Sequence, residues 1–190
     1  MLKFLSSRYL ITAYAVVLVD QISKIYFDQT FMIYERFTII AGLFDFTLAY
    51  NEGAAFSFLA DQSGWQRWLL SSVSLVVSIG LIIWMYKTPN HKKLLLWALA
   101  LVLGGAVGNL IDRALYGYVV DFILLHWFDR WYYPAFNIAD SAICIGAGLF
   151  LLDGFINPES KSKKSANQTD ELNQPKSTKI ITKNNADSVS

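Results

Sequence analysis

Four long apolar runs decide what this chain can fold into. They are YLITAYAVVLVDQISKIYF (9–27), WLLSSVSLVVSIGLIIWMY (68–86), LLLWALALVLGGAVGNLI (94–111) and AFNIADSAICIGAGLFLLDGFIN (135–157). Each is close to the roughly 20 apolar residues a helix needs to cross a bilayer's hydrocarbon core. Only 16% of the 190 residues are charged, against about 25% in an ordinary soluble domain. The expected class is therefore an α-helical polytopic membrane protein with four transmembrane helices. The first run does not read as a cleavable leader, because it is long and no A-x-A site follows before Asp28.

Basic residues predict the direction of threading. Lys3 and Arg8 precede the first run, Lys87, Lys92 and Lys93 separate the second from the third, and six Lys follow the fourth. By the positive-inside rule both termini and the 87–93 loop are cytoplasmic. Residues 28–67 and 112–134 then face outward. Residues 1–157 form the membrane domain. Residues 158–190, rich in Lys, Ser and Asn, read as a disordered cytoplasmic tail.

The outward segments carry different patterns. Within 31–58, FTII and FDFTLAY alternate and are rich in aromatic and β-branched residues, so a small β-sheet is expected there. Gly42 punctuates a turn between the two. A short interfacial helix is expected from about Ala54. Residues 122–134, FILLHWFDRWYYP, read as an aromatic loop at headgroup depth.

Function classes narrow quickly. A net charge of +1 offers no basic field for nucleic acid. One cysteine, Cys144, and two histidines, His91 and His126, make neither a disulfide framework nor a recognisable metal set, so neither a metal nor another cofactor is expected. His126 is expected among interfacial aromatics rather than in any chemistry. The informative residues are polar ones in apolar surroundings: Asp20, Lys24, Asn51, Asn109, Asp112, Arg113, Asp121, Asn137 and Asp140. Such groups are costly in a membrane and tend to serve a function. Asp20 and Lys24 are spaced i,i+4 and can form a structural ion pair, or Lys24 can act as a base or a substrate contact. Gly104, Gly105 and Gly108 allow close helix approach. Arg113 shares a helix face with Asn109 and can either snorkel to headgroups or serve a site.

Asp140 admits two readings. Asn137 and Asp140 are three apart, as in an N-cap with an acid at the third helical position, and the helix dipole favours a negative charge there. Alternatively, Asp140 pairs with Asp121, the lone charge between Ala114 and Phe128. Two close carboxylates share a proton. The ionised one can then activate a water while the protonated one polarises a carbonyl. Spacing alone does not bring the two together. A Ser–Lys protease using Ser57 or Ser141 with Lys24, an ion-conducting subunit and a purely structural subunit are the rivals.

Five stretches carry a resemblance: DQISK (20–24), NEGAAFS (51–57), GGAVGNLIDR (104–113), VVDFI (119–123) and FNIADS (136–141). In this order, on a four-span chain, the sequence resembles the bacterial lipoprotein signal peptidases (signal peptidase II), aspartic proteases of the cytoplasmic membrane. The resemblance covers about residues 8–157. It implies a catalytic dyad at Asp121 and Asp140 and further site positions at Asp20, Lys24, Asn51, Gly53, Ala54, Asn109, Arg113 and Asn137. It also implies four membrane helices, a small periplasmic sheet and a short surface helix able to cover the site. The implied partner is a prolipoprotein already carrying diacylglycerol on its Cys, cleaved just before that Cys. On this reading Arg113 and Asn51 contact substrate, Asn109 and Asn137 orient the dyad, and small residues in the third and fourth spans make room for the signal helix. A monomer in contact with membrane lipid is expected, since one chain supplies every site residue.

Overall fold

In the computed structural model the described residues are 8–53 and 65–157. The expected surface helix from Ala54, the site position Ala54 itself and the expected disordered tail at 158–190 lie outside them. The described residues fall in two compact units, one reaching to Asp153 and a second from Gly154, of which residues 154–157 are described.

All four apolar runs form helices, each longer than its apolar core or nearly so: α1 (Arg8–Thr30), α2 (Trp65–Lys87), α3 (Lys93–Leu115) and α4 (Ile138–Ile156). Each is long and apolar enough to cross a membrane. Their lipid-directed faces keep large residues such as Leu18, Val76 and Leu151 exposed. Hydrocarbon is as apolar as these side chains, so burial against one another gains little, and packing is left to close backbone approach.

Glycine supplies that approach in α3, the most buried of the four helices. A Cβ on Gly104 would lie 2.8 Å from Val16 Cβ and 2.9 Å from the Ala13 carbonyl of α1. One on Gly105 would collide with the Ala139 carbonyl of α4, and one on Gly108 would lie 2.6 Å from Asp20 Oδ2. Gly146 of α4 returns the contact, with Ala98 O at 2.8 Å. The expectation that these small residues make room for a substrate helix is thereby corrected. Gly104, Gly105, Gly108 and Gly146 are filled by the protein's own helices. Away from the sheet, Tyr9, Leu10, Leu81, Met85 and Leu99 of α1, α2 and α3 form the apolar core.

At the other end of the bundle lies a four-stranded antiparallel sheet in the order β1 (Arg36–Ile40), β2 (Phe44–Asn51), β3 (Val119–Trp127), β4 (Trp131–Tyr132). Gly42 turns the β1–β2 hairpin with φ +76°, a conformation glycine adopts without a steric penalty. The aromatic loop expected at 122–134 is a second correction. Its first half is the last part of β3, which pairs with β2, and Trp131–Tyr132 form β4. The run VVDFILLHW shows little polar alternation: its first four residues are buried in succession, and in its second half the exposed positions, Leu125 and Trp127, are as apolar as the buried ones. His126 is buried on this strand, stacked on Tyr132 and 3.3 Å from Asp45.

Candidate active site

Two features of β3 fix the geometry around Asp121. Its pairing with β2 sets Asp121 opposite Ala49 and brings Asn51 to the start of the strand, opposite Val119. Its middle also holds the residue ahead of α4: Ile123 N–H donates to Phe136 O at 2.9 Å, and Phe136 N–H donates back to Ile123 O at 3.0 Å. The next residue, Asn137, caps α4. The sheet thus sets where α4 begins relative to Asp121, a relation that requires the tertiary fold.

Asn137 is fully buried and contacts both acids. Its Oδ1 accepts from Asp140 N–H at 2.9 Å, and its own N–H donates to Asp140 Oδ2 at 3.2 Å. This reciprocal pair is a capping box built with Asn and Asp. Its amide Nδ2 donates to Asp121 Oδ1 at 2.7 Å. Capping and site geometry therefore coexist in the same residues. The second Asp121 oxygen accepts from Asn51 Nδ2 at 3.1 Å, and the second Asp140 oxygen accepts from Asn109 Nδ2 at 2.7 Å. Three asparagine amides surround two carboxylates supplied by a strand and a helix N-terminus.

Asp121 is almost wholly buried. Burial, reinforced by the nearby Asp140 carboxylate, pushes its pKa from 3.8 up to about 7, against the opposing pull of the Asn51 and Asn137 amides and of Lys24. Asp140 is only partly buried and starts a helix, where the backbone N–H groups and dipole favour an anion.

Gly53 acts on Asn51. Its N–H donates to Asn51 Oδ1 at 3.1 Å, at φ +147°. That bond turns the amide so that its NH₂ faces Asp121. Gly53→Ala should strain this backbone and loosen the amide, lowering kcat about tenfold and stability by about 1–3 kcal/mol; parallel turnover and thermal-melt measurements check it.

Behind the asparagines lies a buried charged cluster. The expected Asp20–Lys24 pair is present at 2.8 Å, and Lys24 also reaches Asp112 at 2.9 Å and Asn109 Oδ1 at 2.9 Å. Asp20 accepts from Ala139 N–H at 2.8 Å, tying α1 to the start of α4. Asp112 accepts from Val120 N–H at 3.2 Å and from Gln21 Nε2 at 2.8 Å, tying α3 to β3 and α1. The sequence marks Asp112 as a polar residue in apolar surroundings but shows no partner for it, and nothing in it singles out Gln21. A signal existed in Asp112's spacing: three residues after Asn109, it lies on the same helical face.

Arg113 sits within Coulombic reach of Asp140, Asp121 and Asp112. Its buried Nε has no hydrogen-bond partner among the described residues, which fits a group facing the site better than one snorkelling to headgroups. Its main-chain carbonyl accepts from Arg67 Nε at 2.9 Å. Of the predicted site residues, Asp20, Lys24, Asn51, Gly53, Asn109, Arg113, Asp121, Asn137 and Asp140 are thus brought into one connected set.

Comparison with known proteins gives the family. The family described as signal peptidase (SPase) II matches residues 12–156. The chain belongs to the signal peptidase II family. It is accordingly an enzyme, an aspartic-type membrane peptidase. It is 51% identical over 160 residues to a lipoprotein signal peptidase of Ectopseudomonas mendocina, covering 84% of this chain and 92% of that one. It is 54% identical over 150 residues to the lipoprotein signal peptidase of Pseudomonas aeruginosa, covering 79% and 86%. A bacterial membrane enzyme solved by the in meso method at 2.3 Å resolution superposes with TM-score 0.71 at 32% identity, over 80% of this chain and 90% of that one. A second, at 1.9 Å resolution, gives TM-score 0.66 at 32% identity, covering 76% and 90%.

Proposed function

We propose that this protein removes signal peptides from diacylglyceryl-modified prolipoproteins, cutting just before the lipidated Cys, with Asp121 and Asp140 as its catalytic dyad. The observation that carries this reading is the sharing of Asn137 by the two carboxylates, one in a buried strand and one at a helix N-terminus. Asp140, ionised, takes a proton from the attacking water. Asp121, protonated, donates a hydrogen bond to the scissile carbonyl oxygen and stabilises the charge that develops there. The water oxygen bonds to the carbonyl carbon and forms a tetrahedral intermediate. Collapse breaks the C–N bond, and the proton held by Asp140 passes to the leaving amine of the lipidated Cys. All of this chemistry is done by carboxylates and water. Arg113 and Asn51 are assigned contacts with the substrate backbone, and one chain supplies the whole site, consistent with a monomer.

The same reading assigns a side of the membrane. α1 and α3 run toward the sheet, and the loop at the opposite end carries Lys87, Lys92 and Lys93. By the positive-inside rule that loop is cytoplasmic, so the dyad opens at the extracytoplasmic face of the bacterial inner membrane. There a lipid-anchored substrate can enter laterally from the bilayer. Residues 1–157 are assigned as the peptidase domain.

The test is cleavage by purified protein of a synthetic lipobox peptide with and without the diacylglyceryl group. A product beginning at the lipidated Cys, seen by mass spectrometry from the modified peptide alone, is expected. Equal cutting of the unmodified peptide, or persistent cutting by a variant with Asp121→Asn and Asp140→Asn together, would overturn the assignment.

A further inference from the structure

We propose that Lys24 is a positioning residue of the dyad, acting through Asn109 to hold Asp140 as the proton acceptor. The inference rests on the dyad assignment above and deepens it. An ammonium has three N–H donors and no acceptor. Here three oxygens meet it: Asp20 Oδ2 at 2.8 Å, Asp112 Oδ2 at 2.9 Å and Asn109 Oδ1 at 2.9 Å. Every donor is used, and the atom of Asn109 that faces Lys24 has to be its carbonyl oxygen.

The planar amide then has no freedom. With Oδ1 against the ammonium, Nδ2 points away, and it lies 2.7 Å from Asp140 Oδ1. A donor aimed at that oxygen favours an accepting carboxylate. The flipped amide would offer Asp140 a carbonyl, which only a protonated acid can satisfy, and would turn an NH₂ group onto the ammonium. Lys24 forbids the flip. Asn137 acts in the same sense, since its Nδ2 approaches Asn109 Oδ1 at 3.2 Å and its N–H meets Asp140 Oδ2 at 3.2 Å.

The groups around these atoms come from every neighbouring element. Asp20 of α1 and Asp112 of α3 face Lys24, while Asp121 of β3 and Arg113 of α3 lie within electrostatic reach of Asp140. A purely structural role, in which Lys24 ties α1 to α3 by its ion pairs, predicts loss of folded protein on substitution and nothing about proton chemistry. The positioning role predicts a change in pH dependence.

Two variants separate the roles. Asn109→Ala takes the donor from Asp140 without adding a charge and leaves Lys24 its two carboxylates. Lys24→Met combined with Asp112→Asn removes one charge of each sign, so the cluster's net charge is unchanged while the amide is freed. For each, kcat on the diacylglyceryl peptide is measured from pH 4 to 9 beside a thermal melt. The expected result is an acid limb moved up by about one pH unit, a loss of about tenfold in kcat at the acid end, with KM little altered. An acid limb that stays put in folded Asn109→Ala, with kcat scaled equally at every pH, would overturn the proposal. If the double variant fails to fold, Asn109→Ala decides alone; if Asn109→Ala itself fails to fold, the amide's role is structural and the proposal falls. Residual cleavage by Asp140→Asn at the normal rate would instead indict the dyad assignment, which the same assay detects separately.

Discussion

Replacing Asp140 by Asn should lower kcat by about 10²–10⁴-fold, the range expected when a positioned proton-transfer group is lost. The carboxamide has nearly the shape of the acid, and its oxygen can still accept from Asn137 N–H, but its NH₂ then faces the Asn109 donor, so a stability loss of about 1–3 kcal/mol should accompany the change. KM should stay close to the wild-type value, since binding does not depend on the proton acceptor. The pH profile of the wild-type enzyme adds a second observable. On the proposed mechanism Asp121 has to hold its proton, and burial and Asp140 place its pKa at about 7. Above that pH kcat should fall about tenfold per unit, because the protonated fraction does. Stability follows the same group with a definite sign. The folded state keeps the Asp121 proton between pH 3.8 and about 7, where an unfolded chain has already lost it. Folding is therefore most favoured by this group at acid pH. The advantage, about 4 kcal/mol at 1.36 kcal/mol per unit, declines as pH rises from about 4 and is gone above about 7. A dyad with both acids ionised at neutral pH would give a flat kcat across pH 6–8 and sink this account.

A large structural effect should come from Gly108→Val. A Cβ there would stand 2.6 Å from Asp20 Oδ2 and 3.3 Å from Ala139 Cβ. Asp20 cannot step aside without breaking its bonds to Lys24 and to Ala139 N–H. Overpacking a tight contact costs about 1–3 kcal/mol, and separating one member of a buried ion pair costs about 3–5 kcal/mol. The combined loss should exceed the stability of the helix packing. Expected are poor yield of folded protein in membranes and a melting transition lowered by more than ten degrees or absent, an effect on the order of several kcal/mol. Gly80→Val is the contrast, because nothing lies within 4 Å of a Cβ there, and its melting transition should stay near that of the wild type. Equal melting curves for the two variants would show that α3 does not need glycine against Asp20.

How much was readable in advance differs from residue to residue. The four spans were legible because hydrocarbon leaves the backbone few choices, and a 20-residue apolar run records that constraint locally. The Asp20–Lys24 pair was legible because one helix face carries both. The cap at Asn137 and Asp140 was legible because it is completed within four residues. By contrast, residues 122–127 of β3 read as part of a loop, since their outward residues, such as Leu125 and Trp127, are as apolar as the buried ones and leave no polar alternation. Close helix approach at Gly104, Gly105 and Gly108 is legible and is made by α1 and α4, but room for a substrate helix is not there, because a small-residue stripe does not name its neighbour. Asp112 had no visible partner, since Gln21 and Val120 reach it from other elements.

Sequence by itself determined that this chain spans a membrane, which polar residues stand exposed to its cost, and which family they mark. Those properties are written in short windows of composition and spacing. Only the tertiary structure decided that Asp121 and Asp140 meet over Asn137, and that Lys24 addresses Asp140 through Asn109. Both relations depend on β3 pairing with β2 and gripping Phe136, and on α3 lying against α1 and α4. They join residues 16 to 85 positions apart, and no local periodicity encodes a contact of that kind.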